Sequence, residues 1–224
     1  MSDKPNIIII MTDQQRADLS AREGFPLDTM PFVDHLATQG TWFNRAYTTI
    51  PACAPARVSM LTGRYPSATK VRTNHNLADA TFGQDMFQFF HEQGYRTSLC
   101  GKNHSHVQRE DVDFYYGATH LTCEDDDTDP AYQAFADFMK NTHFHLSKEA
   151  TPFPLEIQFP YRVVSKAQSW IKSIKNEPNP FFLWLSIPEP HNPYQVPEPY
   201  FSLFPPEVLP ATLSDKTDAD DKGF

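Results

Sequence analysis

Glycine, cysteine and basic residues are all scarce in this sequence, and each shortage excludes something. The eight glycines among 224 residues are spread singly, so no glycine-rich phosphate loop is present. Three cysteines, Cys53, Cys100 and Cys123, form no CxxC pair and cannot all be bridged, which argues against a disulfide scaffold. Lys and Arg total 19 against 28 Asp and Glu, a net charge of −9. A duplex-binding protein normally needs a basic surface, so no nucleic-acid partner is expected. A local cluster of Arg and Lys can still hold an anionic substrate. The strongly apolar opening run, Ile7 to Met11, is far short of the roughly 20 residues that span a bilayer. It also lacks the basic flank and cleavage site of a signal peptide. No membrane partner is expected: the chain reads as cytoplasmic as written, or as periplasmic or secreted if a leader has been removed.

Enough remains to build a core, with 40% hydrophobic and 13% aromatic residues, and the 20 prolines imply stiff, extended connections. Asn6 to Thr12 is a β-branched run, apolar on both faces, and predicts a central strand of a parallel sheet covered by helices. Ligands in such sheets bind beyond the carboxyl ends of the strands, which is where Asp13 falls. Thr29 to Gly40 predicts a helix capped by Thr29, with Phe32, Val33, Leu36 and Ala37 as its buried stripe. Thr41 to Tyr47 predicts a short strand. Gly83 to Gln93 predicts a helix with Met86, Phe89 and Phe90 inward. Tyr95 to Cys100 returns as a strand, delivering Gly101, Lys102, Asn103 and His104 to the same edge. Residues 124–129 read as a solvated acidic loop without EF-hand spacing. Val164, Ala167, Trp170, Ile171 and Ile174 recur at helical spacing, and Phe181 to Ile187 is a second buried strand ending near His191. Residues 197–224 form a proline-rich acidic tail. So few strands suggest the first part of a larger domain.

Chemistry concentrates between Pro51 and Arg64. Pro55 favours a first helical turn and Gly63 a stop, which puts Cys53 at a helix N-terminus, where amide donors and the helix dipole favour anions. Arg57, one turn on, adds a donor fork suited to phosphate or sulfate oxygens. An isolated cysteine is more often a buried, inert residue. Here, though, Cys53-Ala-Pro55-Ala-Arg57-Val-Ser59-Met-Leu-Thr62-Gly63-Arg64 resembles, at every fixed position, the type I sulfatase signature C-x-P-[SA]-R-x-[SA]-x-x-T-G-R. The strand ending in Asp13, the Gly101-Lys102-x-His104 string and Pro190-His191-x-Pro193 are similar to further motifs of that family, in family order along nearly the whole chain.

The resemblance implies an α/β, alkaline-phosphatase-like sandwich with a mostly parallel central sheet, of which residues 1–224 form the N-terminal part, the C-terminal part being absent. It implies a sulfuric ester hydrolase acting on a sulfated small molecule or saccharide. Cys53 would be oxidised to formylglycine by a dedicated maturase and its hydrate would be the nucleophile. Arg57 and Lys102 would hold the charge of hydrate and sulfate, His104 would move the hydrate's proton, and His191 would protonate the leaving oxygen. Asp13, Gln14 and the converted Cys53 would ligate a divalent cation, Ca2+ ahead of Mn2+ or Mg2+. Two positions depart from the pattern. Gln14 stands where many members have a second Asp, which removes a negative charge and keeps phosphonate or phosphate esters open as substrates. Asn103 replaces a frequent aromatic. Nothing after His191 resembles the family's later Asp-Asn or Asp-His ligand pair, so a half-built site, inactive by itself, is expected. A non-catalytic anion-binding fragment is the alternative from another class. Without the motif, Asp13 reads as a turn former, Lys102 as a surface charge, and His104, His191, His75, His106 and His120 as packing histidines, Asn74, His75 and His106 being candidates for the pocket wall.

Overall fold

The computed structural model describes residues 4–143 and 145–211. Four strands form one all-parallel sheet: β1 (Ile7–Thr12), β2 (Arg96–Lys102), β3 (Phe114–Ala118) and β4 (Phe181–Ile187), in the order β1-β4-β2-β3. Six helices connect them: α1 (Pro31–Ala37), α2 (Cys53–Thr62), α3 (Pro66–Thr69), α4 (Met86–Glu92), α5 (Pro130–Asn141) and α6 (Phe159–Ser173). Parallel pairing requires a crossover between strands: α1 to α4 lie between β1 and β2, α5 and α6 between β3 and β4, and the short β2–β3 connection carries only the single turn Arg109–Asp111. β2 and β4 are buried nearly throughout: β4 is an almost unbroken apolar run, whereas β2 (Arg-Thr-Ser-Leu-Cys-Gly-Lys) is buried because both of its neighbours in the sheet and the helices on either face cover it.

Two cores sandwich the sheet. On one face Phe87 of α4 and Leu61 of α2 pack with Leu99, Phe182 and Trp184. On the other, Phe159, Val163, Ala167 and Trp170 of α6 and Phe135 and Met139 of α5 pack with Cys100, Tyr116, Leu183 and Leu185. The α6 positions recur every three to four residues, which puts one continuous stripe against the strands.

Several sequence expectations need correction. Among the described residues β1 lies at an edge of the sheet rather than in its centre. Ile7, Ile9 and Met11 join the core with Trp184, while Ile8 and Ile10 face outward, because α6 packs over β2, β3 and β4. The anticipated stripe of α1 is exposed, Phe32 at 75% and Leu36 at 54%. That helix leans on the turn at Ala21–Glu23, is preceded by Met30 rather than capped by Thr29, and is tied through Asp34 to Ser20. Residues 41–47 form no strand. The helix expected from Gly83 starts at Met86, because Asp85 and Gln88 make a reciprocal capping box. Its buried aromatic is Phe87, whereas Phe89 faces solvent.

The acidic run is only partly a solvated loop: Glu124, Asp127, Thr128 and Asp129 are exposed, whereas Asp126 is buried and Asp125 half-buried. Asp125 and Asp126 both pair with buried Arg162, Lys166 reaches Asp125 at 3.1 Å, and Asp129 caps α5 through the Ala131 amide. Arg162 also stacks over Tyr132, 3.9 Å from the ring centroid. Their carboxylates are therefore spent on fastening α6 to the turn before α5. Asp215, Asp218, Asp220 and Asp221 lie outside the described residues.

Candidate active site

All four strands run the same way, so their carboxyl ends open on one edge, and every strand contributes a polar side chain there. Asp13 follows β1, Lys102 ends β2 with His104 just beyond, His120 follows β3, and His191 follows β4. α2 brings Cys53 and Arg57 to the same place. Cys53 is the first residue of α2, and its half-buried Sγ stands 3.9 Å from Asp13 Oδ1. The Ala54 amide, one of the helix's free donors, is taken by Asn74 Oδ1 at 3.0 Å. A cleft of about 420 Å³ opens beside Cys53, lined by Asp13, Gln14, Thr48, Ile50 and Ala56 among others.

The electrostatic centre is one carboxylate shared by two cations. Asp13 Oδ2 accepts from Lys102 Nζ and, at 3.0 Å, from Arg57 Nη2. All three residues are at most 7% exposed. Burial alone would raise the Asp13 pKa, but Lys102 and then Arg57 outweigh it and hold the carboxyl below its usual range. Lys102 and Arg57 are each shifted downward, burial being the larger influence and Asp13 opposing it. The two directions agree once charges are counted: a single carboxylate cannot compensate two buried cations. The net charge left beside Cys53 is positive, which suits an anionic group.

Arg57 departs from expectation. Its fork is turned inward, with Nη1 donating to Lys102 O at 2.8 Å and to Ser186 Oγ at 2.6 Å. The guanidinium also faces the Trp184 ring at 5.4 Å. It supplies charge and, with both terminal nitrogens engaged, braces the ends of β2 and β4, while the residue still forms part of the cleft wall.

The histidines divide sharply. His104 adopts a left-handed backbone (φ 42), and burial, followed by the Lys102 and Arg57 charges, pushes its pKa down. His191 is anchored by Nδ1 against Asn192 O at 2.7 Å. His120 stacks on His191, ring centroids 3.6 Å apart and planes 22° apart, and its Nε2 meets Lys102 Nζ. Burial first, then Lys102 and His191, push the His120 pKa down to about 3. Ligand atoms of Cys53, His120 and His191 all lie within 4.8 Å of one another. Sequence reasoning left His120 among packing residues because Phe114–Ala118 was not recognised as a strand. The three consecutive aromatics before Gly117, Phe114, Tyr115 and Tyr116, were the available signal. His106 keeps a structural role, bonded to Asp85 at 2.7 Å and packed on Phe82. His75 sits exposed in a turn.

Gln14 has a left-handed backbone (φ 62), and its Nε2 donates to Tyr194 OH at 3.2 Å. The Asp13 amide donates to Glu189 O at 3.1 Å, which ties β1 to the loop carrying His191. Asn103 Nδ2 donates to Val107 O at 2.6 Å and so shapes the turn rather than the pocket wall.

Glu189 itself is buried at Oε2 without a hydrogen-bond partner, and burial pushes its pKa from 4.5 up to about 7. The folded state thus binds this proton more tightly than the unfolded chain. Its stabilising contribution is full below pH 4.5 and lost as pH rises toward 7. Glu189→Gln should remove that dependence, stabilising the fold at pH 8 by about 1–3 kcal/mol while leaving it nearly unchanged at pH 4. Thermal melts at both pH values check this; an equal shift at both would contradict it.

Against known proteins, the sulfatase family model matches residues 5–207. The chain belongs to the sulfatase family. It is 27% identical over 213 residues to the uncharacterized sulfatase YidJ of Escherichia coli K12, covering 90% of this chain and 41% of that protein. It is 28% identical over 207 residues to the ulvan-active sulfatase of Formosa agariphila, covering 92% and 39%. Among solved structures, the phosphonate monoester hydrolase of Agrobacterium radiobacter superposes with a TM-score of 0.74 at 22% identity, over 95% of this chain and 46% of that one. Ps i-CgsB in complex with k-i-k-neocarrahexaose gives 0.62 at 25% identity, over 85% and 46%. The fold is that of the sulfatases and phosphonate hydrolases, and the chain spans about two fifths of the length of these curated relatives. No helix among the described residues is long and apolar enough to cross a membrane.

Proposed function

We propose that this chain carries the nucleophile-bearing part of a sulfuric ester hydrolase that removes sulfate from a sulfated carbohydrate, with Cys53 converted to formylglycine by a maturase. The observation that supports it best is the uncompensated positive charge of Lys102 and Arg57 around Asp13, placed directly beside the signature cysteine. That is the charge a sulfate ester needs where its oxygens become more negative.

The donor set fits the groups the family implies. Asp13 keeps Oδ1 toward Cys53 while Oδ2 serves the cations. With its amide nitrogen on Tyr194, Gln14 has its carbonyl oxygen for a ligand. Two hard oxygens beside the converted Cys53 suit part of the shell of Ca2+, with Mn2+ or Mg2+ as alternatives. When bound, such a cation would polarise the sulfate oxygens, and the formylglycine hydrate would supply the attacking hydroxyl. The chain's own residues do the rest. Lys102 holds the sulfate charge, and Arg57 fixes Asp13 and Lys102 in place. His191 delivers a proton to the alcohol oxygen as its bond to sulfur breaks. His104, kept neutral, takes up the proton released when sulfate is expelled.

A carbohydrate substrate is favoured by relatives of that kind, the ulvan-active sulfatase and mouse iduronate 2-sulfatase at 27% identity. A second reading, phosphonate or phosphate ester hydrolysis with the same nucleophile, is favoured by Gln14, which leaves the metal site one negative charge short. The full-length protein, coexpressed with a formylglycine-generating maturase, decides between them. Intact mass should show conversion of Cys53, and defined sulfated saccharides should be desulfated faster than matched aryl phosphonates are cleaved. Faster phosphonate turnover would establish the second reading. A thiol persisting at Cys53 would leave a non-catalytic anion-binding protein.

A further inference from the structure

We propose that His120 is a positioning residue of this site, setting the imidazole of His191 with its ring face and the ammonium of Lys102 with its Nε2. The inference rests on the hydrolase reading above. A histidine ring held by one hydrogen bond still swings, because its second side-chain torsion is broad. His191 has one such bond, from Nδ1 to Asn192 O. The His120 ring lies against it, centroids 3.6 Å apart at 22°, and fixes the plane that the hydrogen bond leaves free. With both constraints, Nε2 of His191 has a defined direction from which to give its proton to the leaving oxygen.

The other edge of His120 acts on Lys102. An ammonium has three donors and no acceptor, so Nε2 of His120 must accept. Asp13 takes one Lys102 proton and His120 a second, so two contacts fix the direction of the third. The depressed pKa of His120 keeps its lone pair available near neutral pH. β3 puts the residue there: Tyr116 and Ala118 are buried in the core, Lys102 pairs with Ala118 in register, and His120 follows two residues later.

Two variants separate the two contacts in the full-length, converted enzyme. His120→Asn removes the ring, and His120→Phe keeps the ring but not the acceptor. Loss of the stack misplaces an acid, so His120→Asn should lower kcat/KM by about 10–100-fold on a sulfated saccharide, whose alkoxide leaving group needs a proton. On 4-nitrophenyl sulfate, whose leaving group needs none, the loss should stay within about 5-fold. His120→Phe should restore this selectivity between esters while raising KM on both through Lys102. The ring carbon and proton resonances of His191 give a readout independent of turnover: ring-current shifted in wild type and His120→Phe, unshifted in His120→Asn. Equal losses on both esters, or a His191 resonance indifferent to His120→Asn, would overturn the proposal. His120→Phe preserves ring volume and carries the test alone if the Asn variant does not fold. A wild-type enzyme inactive on every sulfate ester would instead sink the hydrolase reading, and the His191 resonances would still decide the stack.

Discussion

Asp13→Asn should destabilise the fold by about 3–5 kcal/mol, the range for removing one partner of a buried ion pair. Two cations then face each other with no carboxylate between them, both nearly excluded from water. Against a total stability on the order of 5–15 kcal/mol, the loss is large. Urea unfolding of wild type, Asp13→Asn and the double variant Asp13→Asn with Lys102→Met measures it. Removing one cation should recover much of the loss, because the amide oxygen introduced by Asp13→Asn can still accept from Arg57. If the double variant is no more stable than Asp13→Asn, uncompensated charge is not the cause. Wild type should reproduce part of the effect in acid. The Asp13 carboxyl is held below its usual range, so its contribution is present above the ordinary carboxylate pKa of about 4 and lost as pH falls through the lowered value. Asp13→Asn should lack that acid limb.

Gly101→Ala should be more damaging still. Gly101 has φ +105, and a Cβ there would lie 1.9 Å from Ser186 O and 3.0 Å from Val163 Cγ1. The first contact is backbone of the paired strand and cannot swing away. Gly101 stands opposite Ser186 in the β2–β4 register, and Ser186 Oγ accepts from Arg57. Forcing the strands apart would therefore disturb the brace under Asp13 and Lys102 together with the core contact of α6. A cost above about 4 kcal/mol is expected, which few single substitutions reach. Gly94→Ala is the control: its φ is also positive (+79), but nothing lies within 4 Å of the added carbon. That variant should lose only about 1–2 kcal/mol, the cost of the left-handed backbone. Similar melting temperatures for the two variants would show that the close approach at Ser186 is relieved in solution.

Parts of this protein were legible from local chemistry alone. The apolar run of β4 and the stripe of α6 identify themselves by length and periodicity, and β2 and β4 end where Lys102 and His191 are needed. The string from Cys53 to Arg64 carried the family resemblance because its residue types and spacing are a linear property of the chain. The helix it predicts is α2, with Cys53 at its start and Gly63 at its end in a left-handed conformation.

Other features were decided only by what packs against what. An isoleucine run looks the same in a central strand and an edge strand, and the position of α6 determines that Ile8 and Ile10 face outward. The amphipathic stripe of α1 found no core, while Asp125 and Asp126 of the acidic run found Arg162, a partner more than thirty residues away. Arg57 shows the same limit: spacing placed it one turn from Cys53, but the ends of β2 and β4 turned its fork inward. His120 is the clearest case. Its place in the site depends on β3 lying beside β2 and on β4 bringing His191 across from a segment seventy residues later. Local sequence determines which elements form and which chemical groups end them. Long-range pairing determines which of those groups share one buried charge, because that requires strand order, and strand order is set by the whole core at once.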